Sequence, residues 1–140
     1  MFLINFSFFI NIQKLNNKNN FFTPKQITQK MDTQSGTLEF VSLTAHPNYE
    51  ISTTEPFIVR KIKGEKIMKY SKNNVGYVFV SIDGEHKPLH RIIAEQFLPN
   101  PNNLSYVDHI NGNKLDNRIE NIEWVSHAEN LKRRIQYKNQ

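Results

Sequence analysis

The segment from Tyr106 to Arg134 constrains the fold of this chain more than any other stretch. It reads YVDHINGNKLDNRIENIEWVSHAENLKRR. Two short apolar runs, at 106–110 and 122–125, alternate as β-strands do, and a polar, turn-rich stretch separates them. Ser126, with Glu129 three residues later, is typical of a capping box at the start of a helix. The segment therefore predicts a strand, a long loop, a second strand and a helix.

An acid and a histidine stand side by side near the end of the first predicted strand, at Asp108 and His109. Adjacent strand residues point to opposite faces, so these two can serve one centre only where the strand ends or kinks. Residues 111–113, Asn-Gly-Asn, supply such an end directly afterwards. We therefore expect the first strand to stop at this pair.

The helix is expected to pack across the hairpin. Leu131 on the helix, together with Val107 and Trp124 on the strands, would provide the apolar contact. That packing would bring Asn130, in the first turn of the helix, back beside Asp108. The sequence therefore predicts a site closed by residues from both ends of the segment.

The same segment resembles the HNH endonucleases with a ββα-metal fold, in particular a subgroup related to phage and intron homing enzymes. The subgroup reads roughly V-x-H-x-[DN]-G-N-K-x-[DN]-N-x-x-x-N-[LI]-x-W-V-[ST]-x-x-x-N. The matching residues are Val107, His109, Asn111, Gly112, Asn113, Lys114, Asp116, Asn117, Asn121, Ile122, Trp124, Val125, Ser126 and Asn130. Residues 89–101 resemble the helix and proline-rich link that precede the motif in that subgroup. The resemblance implies metal-dependent hydrolysis of DNA.

Hydrolysis of a phosphodiester needs a nucleophilic water, an acceptor for its proton, and positive charge near the leaving oxygen. A neutral histidine suits the acceptor role at physiological pH, which favours His109 as the general base. Asp108 and Asn130 offer one carboxylate and one amide oxygen, a sparse ligand set that suits Mg²⁺ or another divalent cation such as Mn²⁺. The resemblance assigns the same roles, and it implies that Asn121 tethers the loop and orients the site.

Basic side chains in and after the loop are candidates for contacts with backbone phosphates of DNA, although each is also compatible with a solvated charge. They are Lys114, Arg118, Lys132, Arg133 and Arg134. His127 lies three residues before Asn130 and could share its helix face, so the sequence leaves open whether it joins the site. We interpret His90 as a residue that caps or packs its own helix.

The length of 140 residues allows one modest domain. The formal charge of +5 comes mostly from residues 1–30, which hold four lysines and no acid and leave 14 basic and 13 acidic residues in the remainder. Affinity for nucleic acid must therefore come from local patches. The absence of cysteine excludes disulfides and thiolate zinc sites, and it fits an intracellular protein.

The opening MFLINFSFFINI is apolar but shorter than a membrane span, and it lacks the charged start and cleavage site of a secretory signal. The Asn-, Lys- and Gln-rich stretch that follows has no core-forming period. Residues 1–30 are therefore predicted to be a disordered or untranslated extension, without membrane association.

Residues 40–88 are predicted to form a small β-rich accessory module. Strand-like runs occur at 57–59, 66–70 and 76–82, and Asp83-Gly84 is a strong signal for a hairpin turn. The stretch from His46 to Ser52 resembles the start of a short module that often precedes nucleases of this type. We therefore expect an antiparallel sheet ahead of the motif.

Residues 89–137 are predicted to form the nuclease domain, opening with a helix from Leu89 to Phe97 that Pro99 ends. The expected fold class is α+β: a small antiparallel sheet, a helix and a ββα-metal unit. The expected partner is DNA, which a monomer would nick with low to modest sequence specificity, while a homodimer could break both strands. The alternative is a catalytically inactive nucleic-acid-binding module of the same fold.

Overall fold

The structure is a computed structural model, and it describes residues 38–138. The predictions for residues 1–30 lie outside this range. The strands are β1 (Phe40–Leu43), β2 (His46–Ser52), β3 (Val59–Lys61), β4 (Tyr70–Lys72), β5 (Val78–Ile82), β6 (Glu85–Pro88), β7 (Tyr106–His109) and β8 (Ile122–Val125). The helices are α1 (Leu89–Phe97) and α2 (His127–Lys138), and a 3₁₀ turn (Ile119–Asn121) precedes β8.

Three antiparallel sheets form from neighbouring strands: β1-β2-β3, β4-β5-β6 and β7-β8. The α+β class is confirmed, with two three-stranded sheets ahead of α1 rather than one. The strand expected at 57–59 begins only at Val59, because the Ile58 N–H donates to the Ser52 hydroxyl instead of to a neighbouring strand. The strand expected at 66–70 begins only at Tyr70, the first residue that pairs with β5.

The turn at Asp83-Gly84 is confirmed. Asp83 has a φ of 51° and Gly84 a φ of 84°, and Ile82 pairs with Glu85 across the turn. Two successive positive φ values belong to the turn type whose twist matches that of antiparallel strands. The turn delivers β6 directly into α1, because Pro88 ends the strand and Leu89 begins the helix.

Helix α1 occupies the bounds that the sequence predicted and forms the centre of the core. Its buried residues are Leu89, His90, Ile92, Ile93 and Ala94. They face the sheet of β5 and β6 on one side and the β7-β8 hairpin on the other. Phe97 packs near Phe57, with ring centroids 5.8 Å apart. Burying this apolar stripe therefore fixes where the hairpin sits.

Within the part of the chain that the structure describes, neither helix combines the length and the apolar character that a membrane span requires. The division into a module at 40–88 and a domain at 89–137 stays a prediction.

Substituting Ile93 by alanine should lower the free energy of unfolding by about 2–5 kcal/mol, because the side chain is fully buried and its loss leaves a cavity. Val75→Ala is the matched control, since that side chain is 61% exposed and should change stability by less than about 0.5 kcal/mol. Urea unfolding curves of both variants measure the difference. Equal midpoints for the two variants would contradict this account of the core.

Candidate functional site

The β7-β8 hairpin sets the directions of the two residues at the end of β7. Asp108 pairs with Glu123, and His109 pairs with Ile122. Since neighbouring strand residues face opposite sides, Asp108 points toward one face of the hairpin and His109 toward the other. The strand ends at His109, where Gly112 N–H donates to the His109 carbonyl and closes a turn. The predicted strand end is confirmed, but both residues still pair in regular register, so the expectation that they serve one centre stays a prediction.

Asp108 faces helix α2 and is 9% exposed. One of its carboxylate oxygens, Oδ2, is buried and has no hydrogen-bond partner. The Arg133 guanidinium lies 3.7 Å from this oxygen and binds Glu123 at 2.5 Å and Glu129 at 3.3 Å. A buried carboxylate oxygen without a hydrogen bond is unusual, and it leaves a lone pair available to a ligand.

Asn130 lies one helical turn before Arg133, and residues three apart share a helix face. Because Arg133 contacts Asp108, the side of α2 that carries Asn130 also faces β7. The amide is half-buried, and no hydrogen bond of its side chain occurs among the described residues. The expectation that both ends of the segment meet on one side of the hairpin therefore fits the helix placement.

The expected apolar contact through Leu131 is wrong, because this side chain is 49% exposed. Polar side chains hold α2 against the hairpin instead. Besides Arg133, the Tyr137 hydroxyl lies 3.2 Å from the carbonyl oxygens of His109 and Ile110 and can donate to either. Ser126 caps the helix by accepting from the Glu129 N–H, which is one half of the predicted capping box. The Glu129 carboxylate binds Arg133 instead of returning to the helix start.

The oxygen atoms on the face of the hairpin that α2 covers are of the kind that a hard divalent cation prefers as ligands. A carboxylate oxygen that lacks a partner and a half-buried amide provide oxygen ligands, and Mg²⁺ takes few protein ligands while retaining several waters. Among residues 38–138, no cluster of three His, Cys, Asp or Glu side chains could form a fuller cage. Asp108 and Asn130 are therefore the residues that would hold such an ion, with open positions for water and phosphate.

His109 is 1% exposed and lies on the opposite face from Asp108. Its Nε2 atom is 3.2 Å from the amide oxygen of Asn117, and its ring centroid is 4.8 Å from His90 and 6.0 Å from Tyr77. Burial lowers the pKa of His109, and the hydrogen bond to Asn117 partly opposes that shift. The imidazole is thus neutral at neutral pH, which is the form that accepts a proton.

His90 and Tyr77 surround the His109 ring, although sequence reasoning assigned neither to the site. His90 packs within the fold as expected, but its neighbour is the candidate base, and burial lowers the pKa of His90 to about 3. The Tyr77 ring lies 5.2 Å from His90. No local pattern could reveal these contacts, since they arise only when α1 and the residue before β5 pack on the hairpin.

Asn121 ties the two ends of the loop together and is 5% exposed. Its amide oxygen accepts from Asn111 N–H at 3.0 Å, and its amide nitrogen donates to the Asp116 carbonyl at 2.8 Å. Its own backbone carbonyl accepts from Ile110 N–H. The side chain thus replaces strand hydrogen bonds where the hairpin opens into a loop. This geometry fits the tethering role that the resemblance implies.

The basic side chains predicted to bind phosphate differ in whether they already bind an acceptor within the protein. Arg118 binds both carboxylate oxygens of Asp116, at 2.7 and 2.8 Å, and this contact lowers the pKa of Asp116. Lys114 donates to the Val75 carbonyl at 3.2 Å. Lys132 and Arg134 are exposed and form no ion pair within residues 38–138. These two are the most accessible of the set for a phosphate.

His127 is exposed and stacks on Tyr106, with ring centroids 5.2 Å apart. Its ring is therefore placed against the start of β7 rather than against His109.

Comparison with known proteins shows that the segment containing the β7-β8 hairpin has relatives. Residues 87–132 match a family model described as HNH endonuclease. This segment of the chain is therefore similar to HNH endonucleases. The match covers α1, the β7-β8 hairpin and the first half of α2. The resemblance of residues 46–52 to an accessory module stays a prediction.

The relatives include HNH proteins of viral and bacterial origin. An uncharacterized HNH endonuclease of Acanthamoeba polyphaga mimivirus is 43% identical over 84 residues, which cover 55% of this chain and 21% of the relative. YosQ of the SPbeta prophage in Bacillus subtilis (strain 168), which bears the name of an HNH homing endonuclease, is 30% identical over 83 residues, which cover 57% of this chain and 48% of YosQ. The chain therefore spans at most about half the length of these relatives.

A solved structure of the HNH homing endonuclease I-HmuI, titled for DNA binding and cleavage, aligns with a TM-score of 0.58 and 27% identity. The alignment covers 74% of this chain and 61% of that one. Because it extends over more residues than the family segment, the likeness in fold includes part of the β-sheet region before α1.

Replacing Asn121 by alanine should lower the free energy of unfolding by about 2–4 kcal/mol. The change leaves the Asn111 N–H and the Asp116 carbonyl without partners, and each buried polar group left unpaired costs about 1–3 kcal/mol. Asn102→Ala is the matched control, because Asn102 is exposed. Urea unfolding measures both, and an unchanged midpoint for Asn121→Ala would contradict the tethering role.

The buried His90 should make the fold sensitive to acid. Its pKa is about 3 in the folded state and about 6.5 when unfolded, so the unfolded state alone takes up a proton as the pH falls below about 6.5. The free energy of unfolding should drop by about 1–2 kcal/mol between pH 7 and 5. The contribution of His90 to this loss stops growing once the pH falls below the pKa of about 3 that His90 has in the folded state.

His90→Phe should remove that contribution, whereas the exposed control His86→Phe should keep it. Urea unfolding at pH 7 and pH 5 tests the expectation, and equal acid sensitivity of the two variants would contradict it.

Proposed function

We propose that this chain is a metal-dependent HNH endonuclease that hydrolyses phosphodiester bonds in DNA. The observation that supports it most is the arrangement around the β7-β8 hairpin. Asp108 has a carboxylate oxygen without a partner, Asn130 has a half-buried amide one helical turn before Arg133, which contacts Asp108, and His109 has a buried imidazole whose pKa is lowered by burial. The family of residues 87–132 and the fold likeness to I-HmuI support the same activity.

The proposed reaction assigns one task to each residue. His109 takes a proton from a water as its oxygen attacks the phosphorus and the bond to the 3′ oxygen breaks. Asp108 and Asn130 would hold the divalent cation, Mg²⁺ or Mn²⁺. When bound, the cation stabilises the negative charge that develops on the phosphate and on the leaving oxygen. Asn121 keeps the loop, and with it the end of β7, in place.

The DNA backbone is proposed to lie along the exposed side of α2. Lys132 and Arg134 are exposed there, so they would contribute phosphate contacts and the salt dependence of binding. Arg133 and Arg118 already bind carboxylates, so their direct contribution to DNA affinity would be smaller. Contacts of this kind carry no sequence information, which fits low to modest specificity.

A single site would cut one strand. A monomer would therefore nick a duplex, and two sites brought together in a homodimer could break both strands. Conversion of supercoiled plasmid to the open-circular or to the linear form distinguishes the two, and light scattering of the same sample reports the oligomeric state.

The full chain should cleave supercoiled plasmid with Mg²⁺ or Mn²⁺ and stop when a chelator is added. His109→Ala should reduce the rate at least about 100-fold, because general base catalysis contributes on the order of 10²–10⁴-fold. Asp108→Asn and Asn130→Ala should each weaken metal binding and raise the cation concentration that half-maximal cleavage requires.

Controls separate the proposed chemistry from loss of folding. His86→Ala and Asn102→Ala alter exposed residues of the same types and should cleave at the wild-type rate. Cleavage by His109→Ala at the wild-type rate would remove this residue as the base. DNA binding across a salt series without cleavage under any divalent cation would instead support the inactive binding module.

A further inference from the structure

We propose that Glu123 keeps the cation site at Asp108 open by holding the Arg133 guanidinium away from it. Glu123 is then a positioning residue, because it acts on the site through Arg133. The inference rests on the proposed function, since it concerns the carboxylate oxygen that is assigned to the divalent cation. Position 123 is not specified by the motif that residues 107–130 resemble, and Arg133 lies one residue beyond the segment that matches the family model.

The register of the hairpin brings two carboxylates together. Asp108 lies directly opposite Glu123 in the β7-β8 pair, so the two side chains leave the sheet on the same face. Like charges at directly opposite positions destabilise a sheet. Arg133 of α2 offsets this repulsion, because its guanidinium lies within 4.0 Å of both carboxylates.

One nitrogen of Arg133 faces both carboxylates. Its Nη1 atom lies 2.5 Å from Glu123 Oε1 but 3.7 Å from Asp108 Oδ2. The first contact is a charge-assisted hydrogen bond, whereas the second is too long for one. The hydrogen bond to Glu123 raises the pKa of Arg133, so the guanidinium stays charged. Because Nη1 binds Glu123, Asp108 Oδ2 remains buried without a partner.

Without Glu123, Nη1 would be free to bind Asp108. Glu129 binds the Nε atom of Arg133 at 3.3 Å, so the guanidinium would stay beside the hairpin. Charge-assisted N–H···O bonds are about 2.7–2.9 Å long, so a shift of about 1 Å would form the bond between Nη1 and Asp108 Oδ2. The arginine would then occupy the oxygen and neutralise its charge, and a cation would have to displace it. Glu123 therefore preserves Asp108 as a ligand.

The charge of Glu123 offers a second explanation, and it leads to a different outcome. A carboxylate attracts a nearby cation directly, so its loss would weaken cation binding whether or not Arg133 is present. If Glu123 acts by holding the guanidinium, its loss matters only while Arg133 is there. A double-mutant cycle of these two residues separates the explanations.

The test measures binding of Mn²⁺ to the full chain without DNA, by electron paramagnetic resonance of the free ion. Asp108→Asn identifies the binding event that belongs to this site. Glu123→Leu should weaken that binding at least about threefold, which lies within the usual coupling of residues in one salt-bridge network. Arg133→Leu should bind Mn²⁺ at least as tightly as the wild type. In that background, adding Glu123→Leu should change the affinity less than about twofold.

Glu95→Leu is the matched control, because Glu95 also binds an arginine of its own helix, Arg91 at 2.9 Å, but lies outside the site. It should leave the Mn²⁺ affinity unchanged. A crystal structure of metal-free Glu123→Leu gives a test that needs no variant of Arg133. The distance from Nη1 to Asp108 Oδ2 should shorten from 3.7 Å to about 2.8 Å.

The outcomes separate this inference from the proposed function. Equal weakening by Glu123→Leu in both backgrounds would overturn the inference, and so would an unchanged distance in the variant structure. A wild-type chain that binds no Mn²⁺ would also overturn it. If Mn²⁺ binding and the distance respond as expected but no form cleaves plasmid with any divalent cation, the proposed function fails and the role of Glu123 is supported.

Discussion

Pairing of β7 with β8 is the interaction on which the site depends. Antiparallel pairing fixes Asp108 opposite Glu123 and His109 opposite Ile122, so the carboxylate and the imidazole leave the strand on opposite faces. Helix α2 then covers the face of the carboxylate, and His90 of α1 with Tyr77, the residue before β5, covers the face of the imidazole. A slip of one residue in this register would exchange the two environments.

The two faces create different chemical conditions from neighbouring residues. On the side of α2, charged groups surround Asp108, and Arg133 balances three carboxylates. On the other side, burial disfavours the charged form of His109 and keeps its ring neutral. The proposed cation ligand and the proposed proton acceptor need these opposite conditions. Because the two residues are adjacent at the end of a strand, two neighbouring positions provide both environments.

Polar contacts, rather than apolar ones, hold the helix and the loop in this unit. Arg133 and Tyr137 bind α2 to the hairpin, and Asn121 closes the loop with two side-chain hydrogen bonds. Leu131, the apolar residue expected at this interface, faces solvent. Under the proposed function this face stays open to a cation and a phosphate, so the unit cannot bury a large apolar surface there. Directional polar contacts hold the helix in place instead.

The sequence by itself determined the strand, loop, strand and helix order, the bounds of α1 and the turn at Asp83-Gly84, because local spacing and turn chemistry govern those features. Only the tertiary structure decided the surroundings of His109. His90 and Tyr77 lie far away along the chain, and the acceptor oxygen of Asn117 faces Nε2 only after the loop closes. Packing between distant segments leaves no periodic signal in the sequence, so these contacts appear only in three dimensions.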